Sequence, residues 1–196
     1  MIASHTSAKR AEILAVSREL LQTRGFNAFS HRDLADRVGV KSSTVHYYFP
    51  TKEDIGVALI REYMAETLAL FEELGGTADP QARLEAYCRL FEETAALRDR
   101  ICTAGMLASD YCTLGESLRD EVKSYYACVE RWLAAQASAL EPKRTAAESA
   151  SLARLAFALL EGALLSARLF GEPERVGFAG QSLRTMLGPA KTGRPK

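Results

Sequence analysis

The stretch that most constrains this chain runs from Ser30 to Asp54, SHRDLADRVGVKSSTVHYYFPTKED. Ser30 can cap a helix, with Asp33 three residues on as the acidic member of a capping box. Leu34, Ala35 and Val38 give that helix an inward face, and Gly39 permits a tight turn at positive φ. Val40 anchors the turn, and Ser42 or Ser43 caps a second short helix that ends by Phe49. Pro50 closes it, because the residue before a proline is pushed away from the helical region. Thr51 then caps a third helix, with Asp54 at its N3 position. Two short helices about a glycine turn form the pattern of a helix-turn-helix, whose second helix enters a DNA groove.

The rest of the chain is helical in pattern, and alternating β-branched runs are scarce, so an all-α fold is expected. Ala8 to Arg24 reads as the first helix, with Ala11, Ile13, Leu14, Val16, Leu20 and Leu21 on its apolar side and Gly25 as its stop. Phe26 and Phe29 plug the core of a three-helix head. The helix opened by Thr51 carries Ile55, Ala58, Leu59, Met64, Leu68 and Phe71 and fades at Gly75 and Gly76. Further segments are expected from Pro80 to Leu97, Ile101 to Tyr111, Leu118 to Leu140, Thr145 to Phe170 and Val176 to Leu187. The expected organisation is a DNA-binding head over 8–53, a helical regulatory and dimerisation domain over 54–188, and a disordered basic tail over 189–196.

Composition narrows the class. Formal net charge is zero, but residues 1–52 hold eight Lys/Arg against four acids, while 53–190 hold fourteen against twenty-one. A basic head on an acidic body steers a polyanion to the head. No run of about eighteen uncharged apolar residues is present, and the N-terminus lacks the apolar centre of a signal peptide, so a cytoplasmic protein is expected. Cysteines 88, 102, 112 and 128 match neither a zinc spacing nor a CxxC pair, and reduced thiols follow. The three histidines, His5, His31 and His46, all fall in the head, so neither a metal site nor a cofactor is expected.

Within the motif, His31 and Arg32 start the first helix, Lys41, Ser42, Ser43 and Thr44 start the second, and His46, Tyr47 and Lys52 follow. Short hydroxyls at a helix start keep the backbone close to DNA and offer bonds to bases or phosphates. Tyr47 offers a phenol to a phosphate oxygen, and Lys52 can grip the backbone at the site's edge. Tyr48 and Phe49 read as core; Ala35, Gly39, Val40 and Val45 read as architecture.

These residues resemble the N-terminal domain of the tetracycline-repressor (TetR) family of bacterial transcriptional regulators. The likeness runs from about Lys9 to Leu59 and takes in ILAVSRELLQTRGF, the helix-turn-helix and YYFPTKEDI. The family's recognition helix often resembles GVSKGTLYHYF; here it is GVKSSTVHYYF, with Ser43 in place of glycine, His46 of tyrosine and Tyr47 of histidine. The resemblance implies a homodimer with its heads in successive major grooves of a near-palindromic operator. It also implies a small-molecule pocket in each larger domain and a repressor that its ligand releases.

The body supports parts of this independently. Two heads joined by symmetry read half-sites about 34–36 Å apart, so a dimer surface is required. SLARLAFALLEGALLSARLF, 151–170, is apolar nearly all round, with leucines and small residues interleaved. Leu152, Leu155, Leu159, Ala163 and Leu164, with Leu183 on the last helix, are the candidate interface. Tyr87, Phe91, Cys102, Met106, Tyr111, Tyr125, Tyr126 and Trp132 could line a pocket for a mostly apolar effector. Cys102 follows Arg98-Asp99-Arg100, whose cations favour a thiolate, so an electrophile- or redox-sensing repressor is an alternative. A non-catalytic helical interaction protein or a small-molecule enzyme is a further one, though no phosphate loop, HExxH or nucleophile elbow is present.

Overall fold

In the computed structural model, described over residues 2–77, 79–97 and 99–187, all regular structure is helical. The described residues form nine α-helices: α1 (Ile2–Arg24), α2 (His31–Val38), α3 (Ser42–Tyr48), α4 (Lys52–Thr77), α5 (Pro80–Ala96), α6 (Thr103–Ser109), α7 (Glu116–Leu140), α8 (Ala146–Phe170) and α9 (Glu174–Leu187). Short 3-10 turns lie at Phe26–Ala28 and Tyr111–Thr113. The basic tail expected at 189–196 lies outside the described residues. The described residues fall into two compact units, one of 2–67 with 99–125 and one of 68–97 with 126–187. The boundary expected at residue 53/54 falls inside the first.

The first unit is the head with additional elements around it. Ile13, Leu14, Leu20 and Leu21 of α1 are buried, and Ser17 takes its place in the same row by donating its hydroxyl to the Ile13 carbonyl at 2.7 Å. Ala11, expected on this face, is exposed. Gly25 ends α1 at φ 98°, a conformation that strains any residue with a side chain. Phe26 and Phe29 turn inward as an edge-to-face pair with centroids 6.0 Å apart. Leu34, Ala35 and Val38 of α2, Val45 of α3, and Ile55 and Leu59 of α4 complete the core.

The segment 99–118 is fastened to the head by polar contacts. Ile101 N–H donates to the Gln22 carbonyl at 3.1 Å, and Asn27 Nδ2 donates to Thr113 Oγ1 at 2.8 Å. Leu118 N–H donates to the Glu53 carboxylate at 3.3 Å. A side chain at Gly115 would collide with that carboxylate, and one at Gly56 would collide with Leu118. Arg18 bridges Glu62 and Glu66 at 2.9 and 2.8 Å, pairing α1 with α4.

The second unit packs α8 on α9 and α5 on both. Thr145 and Glu148 form a reciprocal capping box at the start of α8, and Gly171 ends it at φ 70°. Ala153, Ala156, Phe157, Leu160, Leu164 and Ala167 are buried along α8. By length and composition α8 is apolar enough to cross a membrane, and it packs this row against α9 and α5. Leu155, Leu165 and Leu169 of α8 and Phe178 of α9 are exposed instead. On α9, Gly180 lets Cys88 of α5 approach closely, since an added Cβ would lie 3.4 Å from the cysteine Cβ.

Candidate nucleic-acid interface

Local chemistry fixes the motif's backbone. Ser30 Oγ accepts the Asp33 N–H at 3.3 Å, while the Asp33 carboxylate accepts the Ser30 N–H at 2.7 Å. The side-chain bond from Ser30 holds the Asp33 carboxyl below its ordinary range. Gly39 ends α2 in the left-handed region at φ 72°, ψ 38°. Val40 N–H then bonds the Ala35 carbonyl at 2.9 Å, a closure that belongs to helix ends of this kind. Thr51 and Asp54 repeat the capping box at the start of α4.

The start of α3 differs from expectation. Its N-cap is Lys41, in extended conformation and without a side-chain cap bond, so neither Ser42 nor Ser43 caps it. Lys41 is still extended while Ser42 is already helical. Within that first turn Ser43 is exposed and Ser42 half-buried. Their hydroxyls remain available to an external partner.

Val45 and Phe49 are buried, and they hold α3 against the head. Tyr47, between them, is 75% exposed, and Lys41, Ser43 and His46 are exposed as well. Ser42, Thr44 and Tyr48 are half-buried, and Arg32 is exposed on α2. The Tyr47 and Tyr48 rings meet edge-to-face at 5.1 Å, so the core role expected of Tyr48 is only partly filled. His31 is half-buried; its Nε2 donates to the Phe49 carbonyl at 2.8 Å. His31 and His46 stack with centroids 4.1 Å apart and planes 2° apart.

Lys52 is placed differently from the other motif cations. Its Nζ lies 5.0 Å from the Phe26 ring centroid and 4.8 Å from that of Phe29. Desolvation lowers its pKa from the ordinary lysine value. The ammonium therefore braces the aromatic plug while its position stays at the start of α4.

The expected pocket residues divide between the two units. In the second, Tyr87 lies 5.5 Å from Phe91 and 5.4 Å from Trp132, and Trp132 stacks on Phe71 at 4.2 Å. Tyr126 lies instead against Phe157 at 4.8 Å. In the first unit Cys102 is buried with its Sγ 3.6 Å from the Tyr63 hydroxyl, and Tyr63 stacks on Tyr125 at 5.1 Å. Met106 packs toward Gly25, and Tyr111 is exposed beneath the Arg119 guanidinium at 4.6 Å. Gln136, one turn beyond Trp132, was not legible as a site residue. It is buried, and its amide oxygen has no hydrogen-bond donor among the described residues. Among the expected interface residues, Leu155 is exposed and Leu152, Leu159 and Ala163 are half-buried, whereas Leu164 and Leu183 lie in the unit's own core.

Of the cysteines, Cys88 and Cys102 are buried, Cys128 is half-buried and Cys112 is exposed. Burial pushes the Cys88 thiol up to about 11, the state of an inert packed group. Among the described residues no cluster of three or more His, Cys, Asp or Glu could hold a metal ion.

A helix-turn-helix with its second helix turned outward defines a DNA-binding head. The sequence profile of the bacterial regulatory proteins of the tetR family matches residues 13–59, which spans that head. A transcriptional regulator of the TetR family from Agrobacterium tumefaciens has the same fold, with a TM-score of 0.86 at 28% identity, covering 94% of this chain and all of that one. A TetR regulator from Legionella pneumophila follows with a TM-score of 0.83 at 29% identity, covering 89% of this chain and 95% of that one. The HTH-type transcriptional repressor KstR2 of Mycobacterium tuberculosis is 28% identical over 85 residues, 43% of this chain. That match spans 42% of the repressor's own length. The head of this chain is thus similar to the tetR family of bacterial regulatory proteins, and its fold is that of TetR-family regulators.

Proposed function

We propose that this chain is a cytoplasmic, ligand-responsive transcriptional repressor that binds a near-palindromic operator as a homodimer. The outward face of α3 carries this reading: Tyr47 stands out from the head with Lys41, Ser43 and His46 around it, above a buried Val45 and Phe49. A large aromatic held in water on a short rigid helix loses packing unless a partner meets it. The chemistry beside it, a phenol, hydroxyls and cations, suits a phosphate backbone and base edges. Ser42, Thr44, His31 and Arg32 extend the contact surface, and Lys52 lies at its edge.

The exposed side of α8 and α9 supports the dimer. Ala158, Leu159, Gly162, Ala163, Ser166 and Phe178 line one small-residue face there, and Leu155 is exposed on the same helix. The effector reading rests on Phe71, Tyr87, Phe91 and Trp132 gathered in the second unit, with the Gln136 amide oxygen as a polar handle. Such a lining suits a mostly apolar small molecule with one hydrogen-bond donor. The burial of Cys102 gives the electrophile-sensing alternative no observation of its own.

The test is selection of bound duplexes from random DNA, followed by a mobility shift on the selected sequence and on DNA upstream of the coding region. A two-half-site consensus, bound with steep salt dependence, supports the reading. Recovery of no duplex removes it.

A further inference from the structure

Helix α3 has seven residues, too few to hold a helix or its direction alone, so what grips its two ends sets its pose on the head. At its start the grip is backbone: Gly39 is left-handed, and Val40 N–H bonds the Ala35 carbonyl at 2.9 Å. At its end the grip is a side chain. Phe49, the C-cap, is buried and extended at φ −139°. Its carbonyl takes the Nε2 hydrogen of His31, the first residue of α2, at 2.8 Å and 18 positions away in sequence. A carbonyl oxygen only accepts, so the imidazole is the donor.

His31 is itself held. It is half-buried, and the His46 ring in the last turn of α3 lies parallel to it, with centroids 4.1 Å apart and planes 2° apart. An imidazole turns easily about its Cβ–Cγ bond, and a ring stacked on it keeps its plane and so the direction of Nε2. The Phe49 ring in turn carries the Arg10 guanidinium of α1 at 4.9 Å. Phe49 is therefore tied by its carbonyl to α2 and by its ring to α1. Lys41, Ser43, Thr44 and Tyr47 ride on α3 or at its start, so a tilt of its far end moves all of them together. Hydrogen bonds to base edges weaken steeply with lost angle and distance, whereas attraction between charges falls only as the inverse of distance.

Resting on the DNA-binding reading above, we propose that His31 is a positioning residue for sequence recognition. It fixes the pose of α3 through the Phe49 carbonyl and touches no DNA itself, and the His46 ring keeps it in plane. Losing the tether therefore lowers the preference for the operator and leaves the general attraction to DNA in place.

The test uses the full chain at about pH 8, where imidazoles are neutral, with an operator selected from random duplexes and a random duplex of the same length. His31→Phe keeps a ring for the stack and removes the donor. It should weaken operator binding about tenfold, the order of one hydrogen bond, and random binding by less than about twofold. The ratio of the two is read on one sample, so partial unfolding, which lowers both alike, leaves it unchanged. His31→Gln restores a neutral donor and should return the ratio to within about threefold of the wild type. Reselection with His31→Phe should loosen the consensus at every position that α3 reads. Equal losses on both duplexes overturn the inference by making His31 a phosphate contact, and a loss confined to one base pair overturns it by making His31 a base contact. An unchanged ratio, or one that His31→Gln does not restore, overturns it as well. Failure to select any duplex removes the DNA reading instead, and the inference with it.

Discussion

Asp110 accepts the backbone N–H of Phe26 at 2.9 Å, across 84 positions of sequence. The bond joins the turn after α6 to the corner where α1 ends, beside Gly25 at φ 98°. Phe26 N–H sits where the helix has just stopped, so no intrahelical carbonyl is there to take it. Asp110 thus satisfies an orphan donor and ties the 99–118 segment to the head.

Asp110→Ala should therefore destabilise the chain by about 1–2 kcal/mol, the usual cost of stranding a partly buried donor. Asp110→Asn, which keeps an acceptor oxygen, should recover most of that. Urea unfolding of the two variants at neutral pH measures the difference. Equal losses in both would assign the effect to the carboxylate charge near Lys52 instead.

Lys52 separates a packing role from a phosphate contact. Its ammonium over two rings contributes about 0.5–2 kcal/mol, and its methylene stem adds apolar contact. Lys52→Met keeps the stem but removes the ammonium, so urea unfolding should show a loss of about 0.5–2 kcal/mol. If the ammonium also reaches a phosphate, the same variant should weaken specific and random DNA alike and reduce the salt slope by about one. An unchanged slope assigns Lys52 to the aromatic plug alone.

Much of this architecture was legible because it is local. Ser30 with Asp33, Gly39 before Val40, and Thr51 with Asp54 each announce a helix end within four residues, and each is realised. The cap of α3 was misread because two serines in tandem compete for a position that Lys41 occupies. The inward turn of Lys52 was illegible because the rings that attract it stand more than twenty residues away. The same holds for Asp110 and Phe26. Leu164 and Leu183 were read as interface residues, but a helix apolar nearly all round does not reveal which side its own unit covers.

Acid should loosen the helix caps. The Ser30 side-chain bond lowers the pKa of Asp33, the Thr51 side-chain bond that of Asp54, and the Thr145 backbone N–H that of Glu148. A carboxylate with a lowered folded-state pKa stabilises above its ordinary range, and that stability disappears as pH falls through the folded-state value. Asp33→Ala and Glu148→Ala should therefore melt below the wild type at neutral pH. They should converge with it once acid has protonated the caps. A gap that stays constant into acid would show that the carboxylate charge does not matter there.

Phe178 and Leu164 separate association from folding in the second unit. Phe178 is 66% exposed on the rim of the small-residue face of α8 and α9, whereas Leu164 is 1% exposed beneath it. Leu164→Glu buries a charge without a partner and should unfold the unit. Phe178→Glu places its charge in water, so the free chain should keep its helical circular dichroism. If that face meets a second copy, light scattering should then report a folded monomer where the wild type is a dimer. Losing the link between two heads should weaken binding to a two-half-site operator by about 10²–10⁴-fold, because the second head no longer docks at high effective concentration. Binding to a single half-site should change little, which distinguishes lost avidity from a damaged head. A Phe178→Glu dimer as tight as the wild type would move the interface away from α8 and α9.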